Sequence, residues 1–240
     1  MGDPYLLLWL EAPLQSWGHD SRFGRRDSLD FPTKSGVLGL LACALGAGGA
    51  QTEWLARWAD KDLQVLAYTP RDSRGAARPR LPLLCDFHMV GSGYDDQNPW
   101  QNLLIPKKSD GGKAVGGGTK ITYRYYVQDM AFAVLLQGTA ADIADAAQAL
   151  QDPVWDLYLG RKSCPPTEFI YQGVFPDAKA ARDAAEALAT DRQRACSFRV
   201  AQGEQEGNTV IRLNDVPLQF GHQKRYRDRL VTIFDQRGEV

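Results

Sequence analysis

Residues 5–10, Tyr-Leu-Leu-Leu-Trp-Leu, run apolar without a polar break. Six residues are too few for most helices, and a strand with one wet face would alternate, so the run reads as a central strand covered on both faces. Pro13 ends it, and a polar segment, 15–34, follows with Arg22, Arg25 and Arg26. A helix start comes next. Thr33 or Ser35 can cap it, Val37, Leu38, Leu41 and Leu45 recur at helical spacing, and Gly46 is placed to end it. The opening unit is thus strand, long basic loop, helix.

Residues 52–58 read as a second short helix, 63–68 as a strand and 130–136 as another apolar strand. Thr139-Ala-Ala-Asp142 then resembles a capping box, and Ile143, Ala147 and Leu150 mark one buried stripe closed by Pro153. Two strand–helix units separated by strands predict an α+β sandwich of ferredoxin-like topology, with helices over one face of the sheet. Between the units, 83–90 and 121–127 are strand-like and flank a centre with Gly111-Gly112 and Gly116-Gly117-Gly118. Glycine is costly to order and this centre has few apolar side chains, so the segment reads as an inserted, projecting β-hairpin. Its flank, Thr119-Lys-Ile-Thr-Tyr-Arg-Tyr-Tyr126, mixes cations with aromatic rings, a composition that can neutralise phosphates and stack on bases. Tyrosine is also common in strands for packing reasons alone. The last third offers a strand at 169–174, an alanine-rich helix at 178–189, and strands near 197–200, 209–213 and 230–234. These either continue the first sheet or form a second layer.

A length of 240 residues admits one or two domains, and 44% hydrophobic with 24% charged residues excludes global disorder. The net charge of −1 argues against a nucleic-acid binder, but its distribution does not. Segments 71–80, 106–126 and 222–229 hold 13 of the 28 Lys and Arg and only three acids. That segregation suits a phosphate-tracking face, although cations also blunt sheet edges. The start, Met1-Gly2-Asp3-Pro4, lacks a basic region, and 5–10 is too short to span a membrane, so a cytoplasmic protein is expected. Cys43, Cys85, Cys164 and Cys196 lie far apart with only three histidines, which predicts reduced thiols and no metal site.

Motifs for nucleotide hydrolysis, zinc proteolysis and serine hydrolysis are absent. Phe31-Pro-Thr-Lys-Ser-Gly36 lacks the glycine spacing of a triphosphate loop, yet Lys34 beside a helix start suits one backbone phosphate. His88 and Tyr94 near the hairpin admit a metal-independent ribonuclease, while His88 between Phe87 and Met89 equally reads as a packed strand residue. Cys164 after Arg161-Lys162-Ser163 reads either as a structural thiol or as a thiolate partnered by His88 or His222.

Glu11-Ala-Pro-Leu-Gln-Ser-Trp-Gly18, Phe31-Pro-Thr-Lys-Ser-Gly-Val-Leu-Gly-Leu-Leu-Ala-Cys-Ala-Leu-Gly46 and Tyr158-Leu-Gly-Arg-Lys-Ser-Cys-Pro165, with Cys85-Asp-Phe-His-Met89 between them, resemble in order and spacing the CasD family of type I-E CRISPR Cascade. The resemblance covers roughly the first 165 residues. It implies a ferredoxin-like (RRM-like) palm at 1–77 and 129–165, an inserted β-hairpin thumb at 78–128, and a small C-terminal β-rich extension at 166–240. The implied function is a non-catalytic, cofactor-free subunit that binds and caps the crRNA 5′ handle and helps assemble the antiviral surveillance complex. Its implied partners are the Cascade backbone subunit and large subunit, with target DNA near the PAM end as a further contact and no membrane. A sister branch, in type I-C systems, cuts repeat RNA through a tyrosine, lysine and histidine group. No group in this chain matches it clearly, and the metal-independent endoribonuclease remains the alternative.

Carried onto this chain, the resemblance puts Lys34, Ser35 and Gly36 at the helix start and Trp17 and Gly18 at the mouth of the basic loop. Arg25 and Arg26 become phosphate ligands in that loop. Arg161, Lys162 and Ser163 line the groove opposite Lys120, Tyr123 and Arg124 of the thumb. Stacked, splayed bases with cations on their phosphates are the usual way a single-stranded RNA end is read. Plainer readings stand beside these: Trp17 as core, Gly36 and Gly39 as close-packing positions, Arg161 paired with a surface acid.

Overall fold

In the computed structural model, strand β1 (Tyr5–Glu11) sits inside a seven-stranded, wholly antiparallel sheet of order β10-β11-β9-β4-β7-β1-β8. The other members are β4 (Leu63–Pro70), β7 (Ala131–Gln137), β8 (Tyr171–Phe175), β9 (Arg194–Gln202), β10 (Thr209–Gln219) and β11 (Arg225–Asp235). The described residues are 2–19, 21, 24–90, 97–100, 110–112, 120–206 and 209–235; the side chains of Val90 and Lys120 fall outside that set. Strands β8 to β11 all come from beyond residue 165, so the C-terminal third extends the first sheet at both of its edges.

The uninterrupted apolarity of β1 follows from two covers. Leu6, Leu8 and Leu10, with Phe132, Val134 and Leu136 of β7, pack under α1 (Lys34–Ala44), α2 (Thr52–Trp58) and α3 (Ala140–Gln151). Tyr5, Leu7 and Trp9 face the other way, onto α4 (Ala178–Asp191). Helices therefore cover both faces, where the sequence pattern predicted one. The reason is the alanine stripe: Ala181, Ala185 and Ala189 are fully buried, and their small side chains let α4 lie close over Trp9 and Tyr68. Those rings fill the interface with centroids 5.4 Å apart. Truncating a buried Trp such as Trp9 to Ala costs about 3–5 kcal/mol in comparable cores.

Helix ends behave as their residues dictate. Thr33 Oγ1 accepts from Gly36 N at 3.1 Å, Thr139 Oγ1 from Asp142 N at 3.2 Å, and Asp177 Oδ1 from Ala180 N at 2.8 Å. Gly46 follows α1 at φ +66°, the left-handed geometry that stops a helix.

A smaller sheet is centred on β6 (Lys120–Gln128). One edge of it pairs antiparallel with β5 (Leu84–Val90), from Leu84↔Tyr126 to Val90↔Lys120. The other edge carries β2 (Leu14–Gln15) and, in parallel, β3 (Arg25–Arg26). Asp129, at φ +47°, and Met130 carry β6 into β7, and the Asp129 N–H donates to Pro13 O at 3.0 Å. The hairpin is thus rooted in the large sheet through two residues and in the basic loop through two short strands. The glycine-rich centre around Gly116-Gly117-Gly118 lies outside the described residues.

The β10–β11 ribbon is fixed to the start of α1 by a buried ion pair. Arg229 grips Asp215 with Nε–Oδ1 2.7 Å and Nη2–Oδ2 2.9 Å, and Asp215 Oδ2 also accepts from Lys34 N at 2.7 Å. Arg229 is 9% exposed and Asp215 2%. Removing one partner of such a pair strands a buried charge, so Asp215→Ala is expected to cost about 3–5 kcal/mol in urea unfolding. The double replacement Asp215→Leu/Arg229→Met should recover most of that; a single-variant cost below about 1 kcal/mol would show that the ribbon does not depend on the pair.

Candidate nucleic-acid interface

Three chain segments far apart in sequence converge at the entrance of α1. Segment 158–164 closes on itself through Leu159 N to Cys164 O and Cys164 N to Arg161 O, both 2.8 Å. It docks on the segment after β1 through Ser16 N to Leu159 O at 3.1 Å. Gly160, at φ +88°, lies so near that an added Cβ would be 1.6 Å from Ser16 O. Trp17 in turn lies on α1, where a Cβ on Gly36 would come 2.9 Å from its ring.

The three segments border one open cleft of about 320 Å³. Trp17, Gly18, Ser35 and Gly36 line it, together with Tyr158 and Gly160. Its floor stays open because Gly39, inside α1, has nothing within 4 Å of where its Cβ would be. Trp17 itself is 1% exposed, with its indole N–H on Gln15 Oε1 at 3.2 Å, so it forms the buried wall of the cleft and offers no free face for stacking.

A second group gathers at the hairpin root. Arg25 lies over the Tyr125 ring at 4.8 Å while its Nε is held by Asp27 Oδ1 at 2.8 Å. Tyr123, half-exposed, meets Phe87 edge-on across the strands with centroids 5.5 Å apart. Arg26 is exposed, and Arg124 donates to Thr122 Oγ1 at 3.2 Å. The Lys120 side chain is outside the described residues.

Two assignments need correction. Lys34 is fully buried and points inward, its ammonium donating to Ala59 O at 2.9 Å and Lys61 O at 2.6 Å. Burial and the nearby Arg229 hold it down at about 8. The phosphate position imagined at the helix start is already taken by the Asp215 carboxylate on Lys34 N. Arg161 is no free groove cation either. It donates to Arg26 O at 2.8 Å and Tyr125 O at 3.3 Å and lies 4.6 Å over the Tyr126 ring, which makes it the clamp between the 158–164 corner and the hairpin root. Lys162 is exposed beside a neighbouring hollow that includes Cys43, Trp155 and Tyr158, and Ser163 is exposed on the same corner.

The catalytic alternatives find little geometry. Burial pushes the Cys164 thiol up, against the requirement of a thiolate nucleophile. His88 sits on the exposed hairpin with Nδ1 3.4 Å from Asp86 Oδ2. Tyr94 is outside the described residues. No cluster of three or more potential metal ligands occurs among the described residues.

What the motifs missed is the opposite wall of the cleft. Phe220, Lys224 and Tyr226 of the β10–β11 ribbon complete it. The basic stretch 222–229 is their signal in the sequence, and it mixes paired with free cations.

Known proteins place this architecture. The family model described as CRISPR-associated protein (Cas_Cas5) matches residues 5–231, and the chain belongs to that family. It is 31% identical over 172 residues to the CRISPR system Cascade subunit CasD of Escherichia coli (strain K12), covering 70% of each chain. A chain of a solved CRISPR RNA-guided surveillance complex superposes with a TM-score of 0.65 at 27% identity, covering 96% of this chain and 89% of that one. A second solved structure, described as a Cas protein, gives 0.58 at 25% identity over 97% and 94%. No helix among the described residues is long and apolar enough to cross a membrane.

Glycines 160 and 39 should answer oppositely to alanine. Gly160→Ala is expected to lower the unfolding free energy by more than about 2 kcal/mol, because the strained φ and the clash with Ser16 O add. Gly39→Ala, in open helix interior, should raise it by about 0.5–1 kcal/mol. Equal responses in denaturant titrations would contradict this packing.

Lys34 predicts a pH dependence. Its proton is bound more weakly in the folded chain, at about 8, than in the unfolded chain, near the ordinary lysine value of 10.5. The unfolded state therefore holds more protons between those values, and stability attributable to Lys34 rises with pH across that window and falls away as pH drops to about 8. Relative to Lys34→Met, the wild-type unfolding free energy should climb by up to about 3 kcal/mol from pH 8 to 10.5. A flat difference would place the ammonium in solvent.

Proposed function

We propose that this homologue of a Cascade subunit holds the 5′ handle of the crRNA, caps it and helps assemble the surveillance complex, without cutting RNA. The observation that carries the reading is the convergence of the 11–18, 31–46 and 158–165 segments around one open cleft, next to a hairpin root rich in cations and rings. A cleft of this kind suits single-stranded RNA, whose bases can be splayed and stacked while the backbone is held by cations.

On this reading residues 1–77 and 129–165 act as a ferredoxin-like palm, 78–128 as the thumb and 166–240 as the extension. The spatial order β8-β1-β7-β4, with α1 leading from β1 to β4 and α3 from β7 to β8, supports the ferredoxin-like description, with β8 at the start of the extension supplying its fourth strand. Gly18, Ser35 and Gly36 border the RNA path. Arg25, Arg26, Lys120, Arg124 and Lys162 serve its phosphates, Tyr123 offers a ring, and Ser163 contributes a hydroxyl. Trp17 and Arg161 act indirectly, by holding the cleft wall and the hairpin root. The backbone subunit and large subunit of Cascade are the proposed protein partners, with target DNA near the PAM end as a further contact, all in the cytoplasm.

Fluorescence anisotropy of the full chain with labelled single-stranded repeat RNA, repeated across a salt series, tests this. Binding should weaken with salt, and Arg26→Ala with Lys162→Ala should lower the slope of log K against log salt by up to about 1.4, at about 0.7 per phosphate. The RNA should remain intact in EDTA. Salt-independent binding would remove the groove, and metal-independent cleavage abolished by His88→Ala would replace grip with endoribonuclease chemistry.

A further inference from the structure

The part of the β10–β11 ribbon that borders the cleft and its mouth carries cations of a different kind from the rest of the ribbon. Arg225 is held by Gln219 Oε1 at 2.7 Å, Arg227 by Asp60 Oδ1 at 2.5 Å and Arg229 by Asp215. Lys224 and Arg212 have no hydrogen-bond or ion-pair partner among the described residues, and both border the hollow over the helix entrance. The acid at the same hollow, Asp228, accepts from Asn214 Nδ2. Two cations without an acid partner and one amide-bound carboxylate therefore stand where the cleft opens.

Between them and α1 lies Tyr226, half-buried against the cleft, where burial raises its phenol. Phe220 and Tyr158 add rings to the walls, while Gly36 and Gly39 keep the floor free of side chains. The 320 Å³ cleft continues into a wider hollow of about 730 Å³, and the two share Gly18, Ser35, Lys224 and Tyr226. An aromatic-walled recess opening onto a cationic vestibule matches the two parts of a nucleotide, a flat apolar base and a charged phosphate.

We propose that the β10–β11 ribbon completes a mononucleotide site, in which one unstacked base of single-stranded RNA enters the cleft beside Tyr226 and an adjoining phosphate is held by Lys224 and Arg212. This rests on the RNA-binding reading above and adds the C-terminal ribbon to it as the element that selects a base. The glycine floor limits how deep the base sits, and the ion pair of Arg229 with Asp215 holds the ribbon at the right distance.

The test uses the full chain and labelled single-stranded repeat RNA, intact or with one nucleotide at a time made abasic. One abasic position should weaken binding about ten- to a hundredfold, the range of one lost base–aromatic stack. Tyr226→Ala should lose a similar factor on intact RNA and little more on that abasic RNA, while Tyr226→Phe keeps wild-type binding. Because Tyr226→Ala could disturb the ribbon, Gly39→Phe provides the second variant: it fills the cleft from an open position and should show the same loss with an unchanged melting temperature. Arg212→Ala with Lys224→Ala should lower the salt slope by up to about 1.4. Wild-type RNA binding that neither Gly39→Phe nor the double cation variant alters would overturn this site and leave the handle reading standing. Absence of RNA binding by the wild type would overturn both.

Discussion

The approach of Gly160 to the Ser16 carbonyl is the constraint on which the candidate interface depends. A side chain at 160 would occupy the position of that oxygen, so the 158–164 corner reaches the segment after β1 only through a residue without Cβ. Once there, the corner fixes Ser16 through Leu159 O, Trp17 is held against Gly36, and Arg161 reaches across to the carbonyls of Arg26 and Tyr125. Two glycines and one arginine thereby set the relative positions of α1, the basic loop and the hairpin root.

The C-terminal ribbon obeys a second, electrostatic constraint. Asp215 is buried by the ribbon's own docking, and its carboxylate is tolerated there because Arg229 and the Lys34 N–H supply donors on both sides. The same arrangement excludes an external anion from the helix start. The free cations of the ribbon, Lys224 and Arg212, are consequently displaced toward the cleft mouth. A helix entrance that looked in sequence like a phosphate site is an internal joint, and the surface it supports lies a few residues away.

Much of the fold was legible because its signals are local. The cap at Thr33, the stop at Gly46, the helix at Thr52–Trp58 and the box at Thr139 each depend on residues within one turn. The run 5–10 announced burial on both faces, and the alanine spacing of 178–189 supplied the second cover, although the two were not connected until packing was visible. Strands β10 and β11 are legible over less than half their length, because Asn214 and Asp215 in one and Arg225 and Arg227 in the other interrupt the apolar pattern that marks a strand. Strands β2 and β3, two residues each, carry no pattern at all. The direction of Lys34 was not legible either, since the carbonyls of Ala59 and Lys61 that draw it inward lie in the turn that follows α2.

Charge counting along the sequence does not separate free cations from paired ones. Of the cations in 222–229, Arg225, Arg227 and Arg229 are bound to side chains of the protein itself. Outside the basic stretches, Arg194 is held by Glu11 and Asp129, and Arg192 by Glu168 while it covers Trp9. These arginines are structural cement: acids of the protein itself neutralise them, so their number says little about the surface near the cleft. On the proposed reading, a single-stranded polyanion would meet a local field set by a few residues such as Arg26, Lys162, Arg212 and Lys224, because at physiological salt charges beyond about 8 Å are largely screened. Local pairing, and not the sum of charges, decides whether such a protein can hold RNA.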